Sequence, residues 1–277
     1  MTGLAIDPVA AACTVLRAAA PEAKCAAAEN ALAALAGSGP VTQFEASRPP
    51  ARPARPDRPK LAPPGTMPRR RLGSPAGRVA LLHAVAHIEF NAIDLAFDMA
   101  TRFAPAIREA RLDADAFFRD WVALGAEEAR HFAMIADRLA EYGSAYGALP
   151  AHDGLWEAAD RTAGDVAARL AVAPLILEAR GLDVTPDMAR RLRAAGDTGS
   201  ADCLETIYRE EIGHVACGKR WFDAVCAAQG EAPAKVFPRL QQEFFPAGLK
   251  GPFNVEARRA AGLEPALYDR GTAGVGD

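Results

Sequence analysis

Apolar residues recur at three- and four-residue spacing through four long stretches of the chain, the period of a helix that buries one face. The first stretch, residues 77–103, carries Val85, Ala92, Ala96 and Met99 and stops before Pro105. In the second, residues 113–142, Asp113 is placed to cap the start, Trp121, Leu124, Ile135 and Leu139 form the stripe, and Gly143 ends it. A third runs over residues 156–180 with Ala171 and Leu175, extends its stripe to Leu182, and ends at Gly181 and a turn at 183–186. A short helix is then expected from Pro186 with Thr185 as its cap, broken at 196–199, before a fourth long helix with Leu204, Ile207, Val215 and Phe222 continues to about residue 229.

The flanks read differently. Residues 1–36 hold alanine-rich runs with Val15, Leu16, Leu32 and Leu35, enough for one or two short accessory helices. Residues 37–77 shift to proline and arginine, which neither a helix nor a sheet interior accommodates, so this part is expected to be extended. Residues 230–277 are rich in Pro, Gly and Phe and read as a wrapping tail with a helical piece near 257–262. The expected domains are therefore 1–36, 37–77, a four-helix domain at 78–229, and the tail at 230–277.

Composition sharpens this picture. Alanine dominates while Val, Ile and Tyr are sparse, so the chain is expected to be all-α. With 50% apolar and 24% charged residues, and charges interrupting every apolar run before membrane-spanning length, membrane insertion is disfavoured. Residues 1–36 also lack the basic start and unbroken apolar core of a secretion signal. Five cysteines without a C-x-x-C pair fit reduced thiols in a cytoplasm, serving as small core residues. Charge is segregated: residues 42–80 hold nine Lys/Arg against Glu45 and Asp57, a balance of +7, which leaves −10 for the rest of a chain of net charge −3. An arginine-rich extended segment could bind RNA phosphates, but without interleaved aromatics it fits better as a tether over the protein's own acidic remainder.

The chemistry lies in a repeat. Glu127-Glu128-Ala129-Arg130-His131 and Glu210-Glu211-Ile212-Gly213-His214 are two copies of Glu-Glu-x-x-His, 83 positions apart on the second and fourth helices. Residues three apart on a helix share a face, so Glu128 with His131, and Glu211 with His214, each aim a carboxylate and an imidazole in one direction. That direction is the apolar stripe. Single glutamates interrupt the other two stripes, Glu89 on the first helix and Glu178 on the third. A buried carboxylate without compensation costs several kcal/mol, so four of them with two histidines require cations. A Glu from each of two helices plus Glu-x-x-His from each of the other two is the ligand set of carboxylate-bridged di-iron and di-manganese bundles. The hairpin register agrees: the midpoint of Glu89 and Glu128 falls near residue 108, in the first turn, and that of Glu178 and Glu211 near 194, beside the second. Residues 143–155 could span roughly 40 Å when extended, enough to recross a bundle about 30 Å long.

With these residues in view, the chain resembles the ferritin-like superfamily, and residues 78–226 are similar to an uncharacterised ferritin-like family distantly related to di-iron tRNA hydroxylases. The resemblance rests on His83-Ala84-Val85-Ala86-His87-Ile88-Glu89, Glu178-Ala179-Arg180-Gly181-Leu182-Asp183, Glu211-Ile212-Gly213-His214-Val215 and Gly251-Pro252-Phe253-Asn254. It implies a ferritin-like four-helix bundle of two antiparallel hairpins joined by a crossover, holding two iron ions, with manganese as an alternative. The implied activity is oxidase or oxygenase chemistry with O2, an external electron donor and a small-molecule or RNA substrate. Iron oxidation, tRNA hydroxylation and a non-catalytic metal-stabilised scaffold are the alternatives.

Around the six ligand candidates, Glu127 and Glu210 are placed to hydrogen-bond ligating imidazoles in such a bundle, and Arg130 to balance their charge; solvent-facing roles for all three stay open. His87 lies well off the Glu89 face, as does His83, and both read as structural or supporting residues. Tyr208, one turn from Glu211, and Cys217, three residues after His214, are expected chiefly to pack. No acid–base residue beyond the ligands is required.

Overall fold

A computed structural model describes residues 7–45, 48–68, 71–246 and 248–269. Arg69 and Arg70 of the basic segment and the last eight residues of the tail lie outside them. The protein is all-helical: the described residues contain no strand, only an isolated bridge between Leu61 and Ala151. The chain divides into two compact units, Met1–Glu109 with Asp113–Gly154, and Ala110–Leu112 with Leu155–Asp277.

In the first unit, α1 (Pro8–Arg17) and α2 (Pro21–Ala36) precede a long hairpin of α3 (Pro75–Glu109) and α4 (Ala114–Glu141). Asp113 caps α4 as expected, its carboxylate accepting from the Ala116 amide. Pro105 does not stop α3, which continues to Glu109. So close to the helix end a proline removes a single backbone bond, and buried Phe103 and Ile107 hold the last turn in place. Gly125 of α4 lies against α3: a Cβ there would meet the Phe97 ring at 2.6 Å. Packing of α2 on α4 and of α1 on α3 leaves α3 buried on nearly every side. Among the described residues it alone is long and apolar enough to cross a membrane, and 83% of its apolar window is buried within the fold.

The proline-rich segment is extended, with one 3-10 turn at Pro64–Thr66. It pairs briefly with the segment after α4: the Ala62 amide donates to the Ala151 carbonyl (2.8 Å) and the Ala151 amide to that of Lys60 (3.1 Å). Several of its polar groups pair within its own unit. Arg52 pairs with Asp153, Arg55 with Asp94, Glu45 with Arg108, and the Pro50 carbonyl accepts from Arg102.

The second unit differs most from the expected helix boundaries. One helix was expected over residues 156–180; instead α5 (Gly154–Arg161) ends first, and α6 (Val166–Val172) starts at an Asp165 cap whose carboxylate accepts from the Ala167 and Ala168 amides. Buried Arg169 ties the two together, donating to the Thr162 hydroxyl and the Ala159 carbonyl. After α6 the backbone widens into a π turn, Ala173–Glu178, then runs as α7 (Ala179–Ala194) straight through Gly181 and Pro186. Neither the turn at 183–186 nor the Thr185 cap exists; Thr185 is buried inside α7. Pro186 has no N–H for the carbonyl of Leu182, and the Asn254 side chain donates to that carbonyl instead (3.2 Å). A tertiary bond thus keeps the helix going where local sequence argues for a break.

The long helix α8 (Thr198–Ala228) starts at an Asp197 cap and packs along α6, the π turn and α7. At Gly218 a Cβ would lie 2.3 Å from that of Pro174, so the π turn and α8 meet where only glycine fits. The tail forms α9 (Pro233–Phe244), α10 (Val255–Ala260) and α11 (Pro265–Tyr268), which pack on α6, α7, α8 and α9.

Candidate metal centre

Each unit carries one copy of the repeated ligand pattern. In the first, α3 supplies Glu89 and α4 supplies Glu128 and His131, all buried; Glu128 and His131 are completely inaccessible. Ligand atoms of the three approach within 4.8 Å of one another. His131 Nδ1 is 3.3 Å from Glu128 Oε2 and 3.6 Å from Glu89 Oε2. Burial opposes a charge on His131, yet the hydrogen bonds and negative charge of Glu128 and Glu89 outweigh it and push the imidazole up to about 11. Such a group of buried Glu and His can hold a metal ion.

In the second unit Glu178 is the last residue of the π turn, while Glu211 and His214 lie one turn apart on α8. A π turn carries an extra residue in the helical path and so rotates every later side chain relative to a plain helix; such turns recur at functional sites. Here the turn sets the direction of Glu178. His214 Nδ1 is 3.7 Å from Glu211 Oε1, His214 is buried, and the Glu211 side chain is 12% exposed. The second set is the more open.

The supporting candidates divide. Glu127 and Arg130 lie on the exposed face of α4, and Glu210 is half-buried on α8. His87 faces away from Glu89: its Nδ1 is 2.9 Å from the Tyr146 hydroxyl and its Nε2 3.1 Å from the His152 carbonyl. His83 Nε2 accepts from the Gly147 amide (2.9 Å) and stacks on Tyr146. Burial lowers both imidazoles to about 4, so they are neutral at ordinary pH. Above them the proline-rich segment borders a pocket of about 360 Å³ that includes Arg55, His87 and Tyr146. Tyr208 accepts from Asn254 (3.0 Å). The Cys217 thiol accepts from Arg220, and all five cysteines are free thiols.

Two buried ionic groupings escaped the sequence reading. On α3, Asp94 pairs with Lys24 of α2, both completely buried, and with Arg55. Burial pulls Lys24 down and pushes Asp94 up, against their mutual attraction. In the second unit Asp183 pairs with buried Arg258 of α10. For Asp94 the signal was present: His87, Asn91, Asp94 and Asp98 recur at helical spacing in an apolar helix, a second polar face that the Glu89 stripe overshadowed.

The fold and the site define a helical protein with a buried carboxylate–imidazole cluster that could hold a metal ion. The chain belongs to the family described as protein of unknown function (DUF455), which matches residues 17–269. An uncharacterized protein of Haemophilus influenzae is 39% identical over 208 residues, covering 75% of this chain and 72% of that one. No solved structure matches the chain significantly.

Proposed function

We propose that α3, α4, the α6–α7 rod and α8 are the four rods of a ferritin-like bundle, and that Glu89, Glu128, His131, Glu178, Glu211 and His214 are the ligands of two iron ions, with manganese the alternative occupant. The protein is then a cytoplasmic oxidase or oxygenase that uses O2 and an external electron donor on an organic substrate. The observation that carries this reading is the buried group of Glu89, Glu128 and His131, whose ligand atoms lie within 4.8 Å of one another. Four carboxylates balance two divalent ions, and the mixed oxygen and nitrogen donors suit iron or manganese.

Iron bound there would supply the electrons that reduce O2. The chain's own part is to hold the donors and keep the surroundings dry. Trp121, Leu124, Phe132 and Ile135, buried on the His131 stripe of α4, make the surroundings of the ligand face apolar, which suits chemistry on a C–H bond rather than on a polar group. An imidazole or carboxylate binds a metal ion in its deprotonated form, so metal uptake would release any proton shared among His131, Glu128 and Glu89. The pairing of Arg52 and Arg55 with Asp153 and Asp94 favours the basic segment as a tether over an RNA-binding arm.

Metal analysis of protein from its native host is expected to find two ions per chain, and one or fewer in both Glu128→Ala and His214→Ala. Unchanged metal content in both variants overturns the reading. Loss in Glu128→Ala alone reduces it to a single-ion site in the first unit.

A further inference from the structure

The tail motif Gly251-Pro252-Phe253-Asn254 has no part in the ligand set, yet its Asn254 bonds to both α7 and α8. Asn254 uses its main-chain amide and both ends of its side chain there. Its amide donates to Asp183 Oδ1 (3.0 Å) and its side-chain oxygen accepts from the Ala257 amide, capping α10. Its Nδ2 donates both to the Leu182 carbonyl on α7 (3.2 Å) and to the Tyr208 hydroxyl on α8 (3.0 Å). One amide group thus bridges two helices. Arg258, one turn further along α10, fixes the assembly: Nε and Nη2 grip the Asp183 carboxylate at 2.8 and 2.7 Å, and Nη2 also donates to the Ala179 carbonyl. Its guanidinium lies 4.9 Å from the Phe253 ring centroid and 4.5 Å from that of Tyr268.

The bridged positions stand in a definite relation to the ligand candidates. Leu182 is one turn after Glu178, Tyr208 is one turn before Glu211, and Ala179 directly follows Glu178. Helix α7 begins at a π turn and contains Pro186, so its own backbone bonds leave its rotation and rise against α8 weakly specified. Metal donors tolerate only a few tenths of an ångström of misplacement. We infer that Asn254, held by the Asp183–Arg258 pair, is a positioning residue that sets the register between α7 and α8 and thereby aligns Glu178 with Glu211. This rests on the di-metal reading above.

The test uses Co2+ as probe, added to the metal-free full-length protein, with affinity, stoichiometry and the visible absorption bands of the bound ion as readouts. Asn254→Ala is expected to stay helical by circular dichroism, to bind Co2+ about 10- to 100-fold more weakly, as when supporting residues around metal ligands are removed, and to shift the absorption bands. Tyr208→Phe deletes a single hydroxyl, leaves the Asp183–Arg258 pair intact, and is expected to weaken binding several-fold. It keeps the question decidable should Asn254→Ala not fold. Val225→Ala, a core truncation elsewhere on α8, controls for general loss of stability. Wild-type affinity and spectrum in Tyr208→Phe and in any folded Asn254→Ala overturn the assignment, as does an equal change in Val225→Ala at matched melting temperature. Failure of the underlying reading looks different: the wild type takes up no Co2+, or Glu128→Ala and His214→Ala bind it normally.

Discussion

The two units carry the same ligand pattern on different backbones. In the first, Glu89, Glu128 and His131 stand on two regular helices joined by a short turn, and helical spacing within α4 together with the packing of α3 on α4 brings them together. In the second, Glu178 depends on a π turn, α7 continues through a proline, and Asn254 takes up the carbonyl that the proline abandons. Both units also anchor an accessory segment through a buried ion pair, Lys24–Asp94 for α2 and Arg258–Asp183 for the tail. A regular helix pair needs only its packed faces to set side-chain directions, whereas a distorted one needs bonds from outside itself. The first set is buried while Glu211 of the second is 12% exposed, and the tail bonds to residues beside or one turn from Glu178 and Glu211.

The largest expected effect comes from breaking the two anchors. Lys24→Ala leaves the Asp94 carboxylate with only the partly exposed Arg55 as counter-ion and Asp183→Ala deprives the Arg258 guanidinium of its carboxylate, each costing about 3–5 kcal/mol of unfolding free energy in denaturant titration. Losses under about 1 kcal/mol would show that the accessory segments are not held this way. Acid should then separate the units, because the neutral buried imidazoles His83 and His87 belong only to the first. Their folded values near 4 lie below the unfolded value near 6.5, so the unfolded chain binds more protons in between. The stability they permit is whole above pH 6.5 and falls as pH drops to 4, by about 3 kcal/mol for each histidine. His83→Gln should make that decline shallower in pH-dependent melting; an unchanged slope contradicts the assignment. The smallest effect should come from the close helix approaches. Gly125→Ala and Gly218→Ala are each expected to cost about 1–3 kcal/mol. Gly218→Ala should cost more, since its Cβ meets the rigid Pro174 ring while Gly125 faces a Phe97 ring that can swing. The reverse order would mean that the π turn yields more readily than the regular hairpin.

Much of this was legible before any coordinates. The all-α class, the Asp113 cap, the extended proline-rich segment and the pairing of Glu128 with His131 and of Glu211 with His214 follow from rules that act within a few residues. Residue spacing on a helix, the missing N–H of proline and the side chain of a cap are local properties, and a sequence displays them directly. Pro105 and Pro186 mark where such rules were outvoted: the first sits where one lost bond matters little, and the second is rescued by a partner 68 residues away.

Burial, π turns and ion pairs between distant segments depend on which surfaces meet. Nothing around Asp94 names Lys24 as its partner, and nothing around Glu178 announces the extra residue that turns it, because the energy of each arrangement is set by groups far along the chain. The identities of the ligand candidates were thus written in the order of residues. Their directions, their depth and the devices that hold them came from packing, since a charge can stay in an apolar core only where the folded chain brings its counterpart alongside.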